Sequence, residues 1–501
     1  MKRLQVAGLI GKVCLPFLLI SILGIAIRPH TISVDLHRAQ HLMEIGSFRG
    51  GYAALTRAAE FISEPTDSWE SAGHAALAAN DAEIAISFWL HAIETGNISS
   101  SGYIALGDAY QHMGQSIAAI QTWESVIMTE GPLVAVYERL ANVHKHSGDY
   151  LGLVSDLRAL AKMQPDKAQT LYQLGVTLAA VQPESALAYL VQAAEIDPEL
   201  VPQVETIQRT LATARLADEP AYTFLSSGRV LGVLNDWDLA AEAFRRATVL
   251  RPDYAEAWAF LGEALQHSGS VATLEVENGY ETSVKSPGQD GRTAAYALGI
   301  TEIEKALSLD PNSVVANTFM AYYWQRQHDY GKALTYLSVA ASLEPDNPML
   351  LVEFGNTLAL KGDLPTAQIY YRRAVNLAPR DPFYWRMLAN FCIHHEIYIR
   401  TIALPAARQV VLLNTIDPVG LDVLAQVYIL LNDLVSAQRL LQRVFDINPF
   451  YPAAHLHLGQ VYLLMGDSIQ AYKQLSMART QARQDQASAD QAERLLKHYF
   501  P

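Results

Sequence analysis

The stretch Met349–Pro379, MLLVEFGNTLALKGDLPTAQIYYRRAVNLAP, decides how the rest of the chain is read. A large residue precedes Phe354-Gly355, and a leucine follows three positions on. Twelve residues after Gly355 comes Ala367, then Tyr371 four on, then Ala374 three later. Spacings of three and four place these residues on single helix faces. Pro379 ends the second helix, because proline cannot continue one. The same order recurs in AAHLHLGQVYLLMGDSIQAYKQLSMA from Ala453, and its first half recurs in AWAFLGEALQHSG from Ala257. Pro311, Pro345 and Pro379 are separated by two steps of 34 residues.

A helix–turn–helix unit repeating at this period resembles the tetratricopeptide repeat, or TPR, family. The small eighth residue, such as Gly107, Gly262 or Gly355, lets two helices approach closely. Large residues, among them Trp89, Trp123, Phe244 and Tyr371, fill the space between helices. About twelve units follow, a degenerate one over 36–64 and others beginning near 66, 100, 134, 168, 221, 255, 314, 348, 382, 418 and 452. The expected fold is an all-α TPR-type solenoid, a right-handed superhelix. Its segments are an N-terminal signal anchor or signal peptide (1–30), an N-terminal array (31–198), a joint helix (199–220), a C-terminal array (221–483) and a capping helix (484–501). From His394 to Ile402 one inter-helix turn is longer than its counterparts.

One insertion, 268–292, departs from the helical pattern. Leu274 and Val276 alternate with charged residues, Asn278-Gly279 follows, and Tyr280 and Val284 resume the alternation. Asn-Gly between alternating runs predicts a β-hairpin, since both turn residues must accept positive φ. Strands this short need a surface to pack on, either their own array, a second copy or a partner.

The chain has 501 residues and a formal net charge of −14, with no block of Lys and Arg. That excludes a protein living on nucleic-acid phosphates. Cys14 and Cys392 cannot build a disulfide framework. Residues 13–27 carry no charge, and Lys2, Arg3 and Lys12 precede them. Residues 4–27 therefore read as a membrane anchor, or as a signal peptide, with the repeats outside the cytoplasm. Neither a P-loop nor a Gly-x-Ser-x-Gly occurs, and Glu275, Glu277 and Glu281 read as a solvated face. His394-His395 point apart on a helix, so no metal is expected there. No cofactor and no catalysis are implied.

In TPR arrays the first helix of each unit lines the concave side. The resemblance places Tyr322, Asn356, Asn390, Gln426 and Gln460 on it at the ninth position, with Arg386 nearby at the fifth. Carboxamides both donate and accept, so such a row can pair with the backbone of an extended ligand. The implied function is a protein–protein scaffold of the cell envelope. A glycan-handling assembly is an alternative, with Tyr322, Tyr323, Tyr384 and Trp385 suited to stacking on sugars, and a regulatory subunit of a separate enzyme is another.

Overall fold

The computed structural model describes residues 38, 68–78, 81–94, 98–268, 289–481 and 485–500. Among these there are 24 α-helices and no strand. Each predicted unit start from 66 onward falls within two residues of a helix start, from Ser68–Ala78 to Pro452–Met465. The unit expected at 36–64 lies outside the described residues, apart from Arg38, which is helical. So do residues 4–27 and Leu274, Val276, Asn278, Gly279, Tyr280 and Val284. No described helix is long and apolar enough to cross a membrane.

Local chemistry explains the punctuation. Most turns inside a unit pair a left-handed residue with an aspartate. Gly148, Gly362 and Gly466 take positive φ, and so do Asn235, His328 and Asn432. The aspartate that follows caps the second helix: Asp149, Asp329, Asp363, Asp433 and Asp467 each accept a backbone N–H from the first turn. Between units, Asn347, Asp381 and Asp417 cap a first helix whose first residue is proline. Proline is tolerated there because that N–H has no intrahelical partner.

The chain forms two compact units, Met1–Ala243 with Gly269–Val284, and Phe244–Ser268 with Lys285–Pro501. The segment 199–220, expected to stand between two arrays, lies inside the first unit. Its helix Val201–Arg215 buries Val204, Ile207 and Leu211 against Pro183–Ile196 and Pro220–Val233. The succession of first helices survives this addition: Pro220–Val233 packs on Ala168–Val181, and the Ser227 hydroxyl donates to the Ala179 carbonyl.

In the second unit six first helices alternate with six second helices, and Gln486–Tyr499 packs on the last pair. The insertion interrupts the pair formed by Ala255–His267 and Gln289–Leu309. That pair closes through two glycines: a Cβ on Gly262 would lie 2.5 Å from the Gly299 carbonyl oxygen, and one on Gly299 would lie 2.5 Å from that of Gly262. Ile303 and Ala306 of this second helix are fully buried. The longer turn after His394 becomes a π-helical segment, Ile399–Ala403, entered through Glu396 and Tyr398 at positive φ.

Candidate binding face

In the second unit, first helices pack against first helices: Ala255–His267 on Val314–Arg326, and Pro348–Lys361, Pro382–His394, Pro418–Leu430 and Pro452–Met465 in succession. Val314–Arg326 and Pro348–Lys361 are joined by a hydrogen bond, Gln325 Nε2 donating to Thr357 Oγ1 at 2.7 Å. The polar groups on these helices fall into two classes.

One class ties neighbouring repeats together. Arg326 donates to both oxygens of Glu263, at 2.7 and 3.2 Å, and to Gln266 at 2.5 Å, while His267 Nε2 lies 2.9 Å from the same carboxylate. Burial opposes charge on Glu263, but the hydrogen bonds from His267 and Arg326 outweigh it and hold the carboxyl below its usual range. Asp422, 3% exposed, receives His457 Nδ1 of the next first helix at 2.6 Å and Gln426 Nε2 at 3.1 Å. Burial pushes the Glu353 carboxyl up; hydrogen bonds with Asn356 and with Tyr322 of the preceding repeat work the other way. Burial, then Glu353, raises the Tyr322 phenol. Asn356 Nδ2 lies 3.4 Å from Glu353 Oε2, and its carbonyl oxygen accepts from the Tyr371 hydroxyl.

The other class has no side-chain partner among the described residues. Asn390 and Gln460 are half-buried and make no hydrogen bond to any described residue. The four carboxamides are therefore not equivalent: Asn356 and Gln426 are engaged, whereas Asn390 and Gln460 are available. The Arg386 guanidinium lies 5.5 Å from the Phe383 ring centroid. Tyr384 and Trp385 pack against the core around Leu388 and Ala389.

A recurrent contact escaped the sequence reading. At the fourth position of four repeats, a donor reaches the carbonyl of the proline that ends the preceding helix. Trp258 Nε1 bonds Pro252 and Trp385 Nε1 bonds Pro379, both at 2.9 Å; Asn317 Nδ2 bonds Pro311 at 3.0 Å, and His455 Nε2 lies 3.3 Å from the Pro449 carbonyl. The residue types differ, so only the shared spacing of six could have revealed them. His455 also faces Gln474, while His457, two residues on, faces Asp422. No group of three or more His, Cys, Asp or Glu among the described residues is arranged to hold a metal ion.

A family model for the tetratricopeptide repeat matches residues 225–273. Among solved structures the chain is similar to yeast Tom70, at 15% identity over 80% of this chain and 95% of that one, with a TM-score of 0.36. It is also similar to the APC/C hetero-tetramer Cut9–Hcn1, at 14% identity over 86% and 96%, TM-score 0.37. YrrB, described as a TPR protein with an unusual peptide-binding site, matches at 18% identity over 38% of this chain and 97% of its own, TM-score 0.28. Such identities and scores carry nothing about partner or ligand. A sequence search among curated proteins finds no match.

Proposed function

We propose that the chain is a protein-interaction scaffold whose second unit holds an extended segment of a partner along its first helices. The observation that carries this reading is the pair Asn390 and Gln460, half-buried amides at the same position of their repeats whose side chains make no hydrogen bond to any described residue. An amide left in that position keeps water as its partner until a ligand backbone replaces it. Tyr322, Asn356, Gln426 and Arg386 frame the same face, with the engaged amides holding its shape. In this reading residues 4–27 anchor the protein and place the repeats outside the cytoplasm, where an envelope assembly is the partner.

The test compares two double variants after crosslinked pull-down of the partner from membranes. Asn390→Ala with Gln460→Ala is expected to weaken binding about tenfold or more, from two lost hydrogen bonds of roughly 1 kcal/mol each, with unchanged melting. Asn356→Ala with Gln426→Ala is expected to lower the melting temperature. Equal affinity for the first variant and the native chain would refute the assignment of the face.

A further inference from the structure

The amides of the last four first helices belong to a wider pattern. Four residues after Asn356, Gln426 and Gln460 come Leu360, Leu430 and Leu464, so each leucine lies one turn along the same helix face. These leucines are 57%, 38% and 58% exposed. One exposed leucine is ordinary, whereas three at one register of successive repeats form a row. In the two repeats before them that register is already engaged, since His267 and Arg326 are held at Glu263. The one polar member of the row is His394, exposed and four residues after Asn390. Arg386 stands four residues before Asn390, half-buried, and forms no ion pair with any described residue. Along one stripe of Pro382–His394 an amide without a side-chain partner thus lies between a guanidinium and an imidazole.

Spacing selects the conformation of the guest. Helices packed side by side, as these four are, lie about 8–10 Å apart. A β-strand turns a side chain to the same face every ~7 Å, short of one repeat. A polyproline II segment returns to the same face after three residues, about 9 Å, which matches one repeat. Its backbone makes no internal hydrogen bonds, so its polar groups stay open to Asn390 and Gln460. On the reading of this face as a partner site, we infer that the segment it holds is a polyproline II stretch with a side chain on the face at every third residue, in the order apolar, acidic, apolar, apolar. The apolar side chains lie on Leu360, Leu430 and Leu464, and the acidic one on Arg386 and His394. A basic residue at the second place would meet Arg386, and an apolar one would leave that guanidinium unpaired.

The experiment is anisotropy titration of the full chain with fluorescein-labelled synthetic peptides. Leu-Pro-Ala-Glu-Pro-Ala-Leu-Pro-Ala-Leu and its reversed sequence cover the two chain directions. An isomer of the same composition with its leucines at alternate positions breaks the period. One of the two directions is expected to bind about tenfold or more tightly than that isomer. Leu360→Ser with Leu464→Ser is expected to lose a similar factor with unchanged melting, because both side chains are more than half exposed in the free chain. Arg386→Glu is expected to prefer the peptide in which Lys replaces Glu, reversing the native preference. The inference is overturned by failure of both directions to bind at millimolar concentration, by equal binding of the isomer, by unchanged affinity in the leucine variant, or by a preference that Arg386→Glu does not reverse. Partner capture with Asn390→Ala and Gln460→Ala tests the face by itself. A partner lost there, while the peptides bind no better than the isomer, would sink the three-residue register and leave the scaffold reading standing.

Discussion

Gly107 gives the sharpest test of how each unit is held together. A Cβ there would sit 2.2 Å from Trp123 Nε1, 2.5 Å from Cδ1 and 2.7 Å from Cε2. The indole is 2% exposed, and its N–H donates to the Ile104 carbonyl at 3.1 Å, so it cannot swing aside without losing that bond. Gly107→Ala gains about 1 kcal/mol of helix propensity. Against that stand roughly 1–3 kcal/mol of overpacking and about 1–3 kcal/mol for a buried indole N–H left unpaired. The balance is a loss of about 3 kcal/mol. Because repeats contact mainly their neighbours, the loss should be local. Hydrogen exchange followed by mass spectrometry is the suitable assay: amides of Ser100–His112 and Ser116–Glu130 should exchange about a hundredfold faster, and those of Leu364–Leu377 at the native rate. Adding Trp123→Leu should restore part of the protection by making room. Protection equal to or above native in the single variant would refute the idea that the glycine is there for the indole.

His144 Nδ1 lies 2.6 Å from buried Asp156, and that hydrogen bond raises the histidine pKa against the opposing effect of burial. A histidine that holds its proton more tightly when folded stabilises fully below its unfolded value of about 6.5 and loses this as pH rises through the higher folded value. The first unit should therefore melt at a lower temperature at pH 9 than at pH 6, and His144→Asn should flatten that slope; parallel slopes would count against the pair. Replacing residues 269–288 by a short Gly/Ser turn should leave the second unit folded, since Gly262, Gly299, Ile303 and Ala306 still pack, and should impair partner capture. Undiminished capture would make the insertion dispensable. For the anchor, protease added to spheroplasts should digest the repeats, and the intact mass should begin at Met1; repeats that resist until the membrane is opened would reverse the topology.

The repeat was legible because it is written in size. Small residues at the eighth and twentieth positions, large ones between and prolines at the ends fixed the phase of the units from 66 onward. Gly299 was not legible: the insertion separates it from Gly262 by a length that no period predicts, and only the packed helices show the two glycines facing. The inequality of the four amides had a signal that went unused. Glu353 stands three residues before Asn356, and Asp422 four before Gln426, both within reach on a helix. Asn390 is preceded at those places by Met387 and Arg386, and Gln460 by His457 and Leu456, so neither has an acid to occupy it.

The division of the first-helix surface into ties and available groups changes how it must be probed. Glu263 with Arg326 and Asp422 with His457 are carboxylates, each at most 6% exposed, held by the following repeat. Removing one member of such a pair strands a charge in low dielectric and costs about 3–5 kcal/mol, enough to open a local helix pair. A variant at these positions would lose binding by losing the face itself. Asp108 and Arg139 make the analogous bidentate tie in the first unit, but both are about one-third exposed, so solvent screens that pair and its removal costs much less. Loss of affinity therefore reports on recognition only where the group removed has no partner in the free protein. Among the described residues of the second unit, the side chains of Asn390 and Gln460 meet that condition.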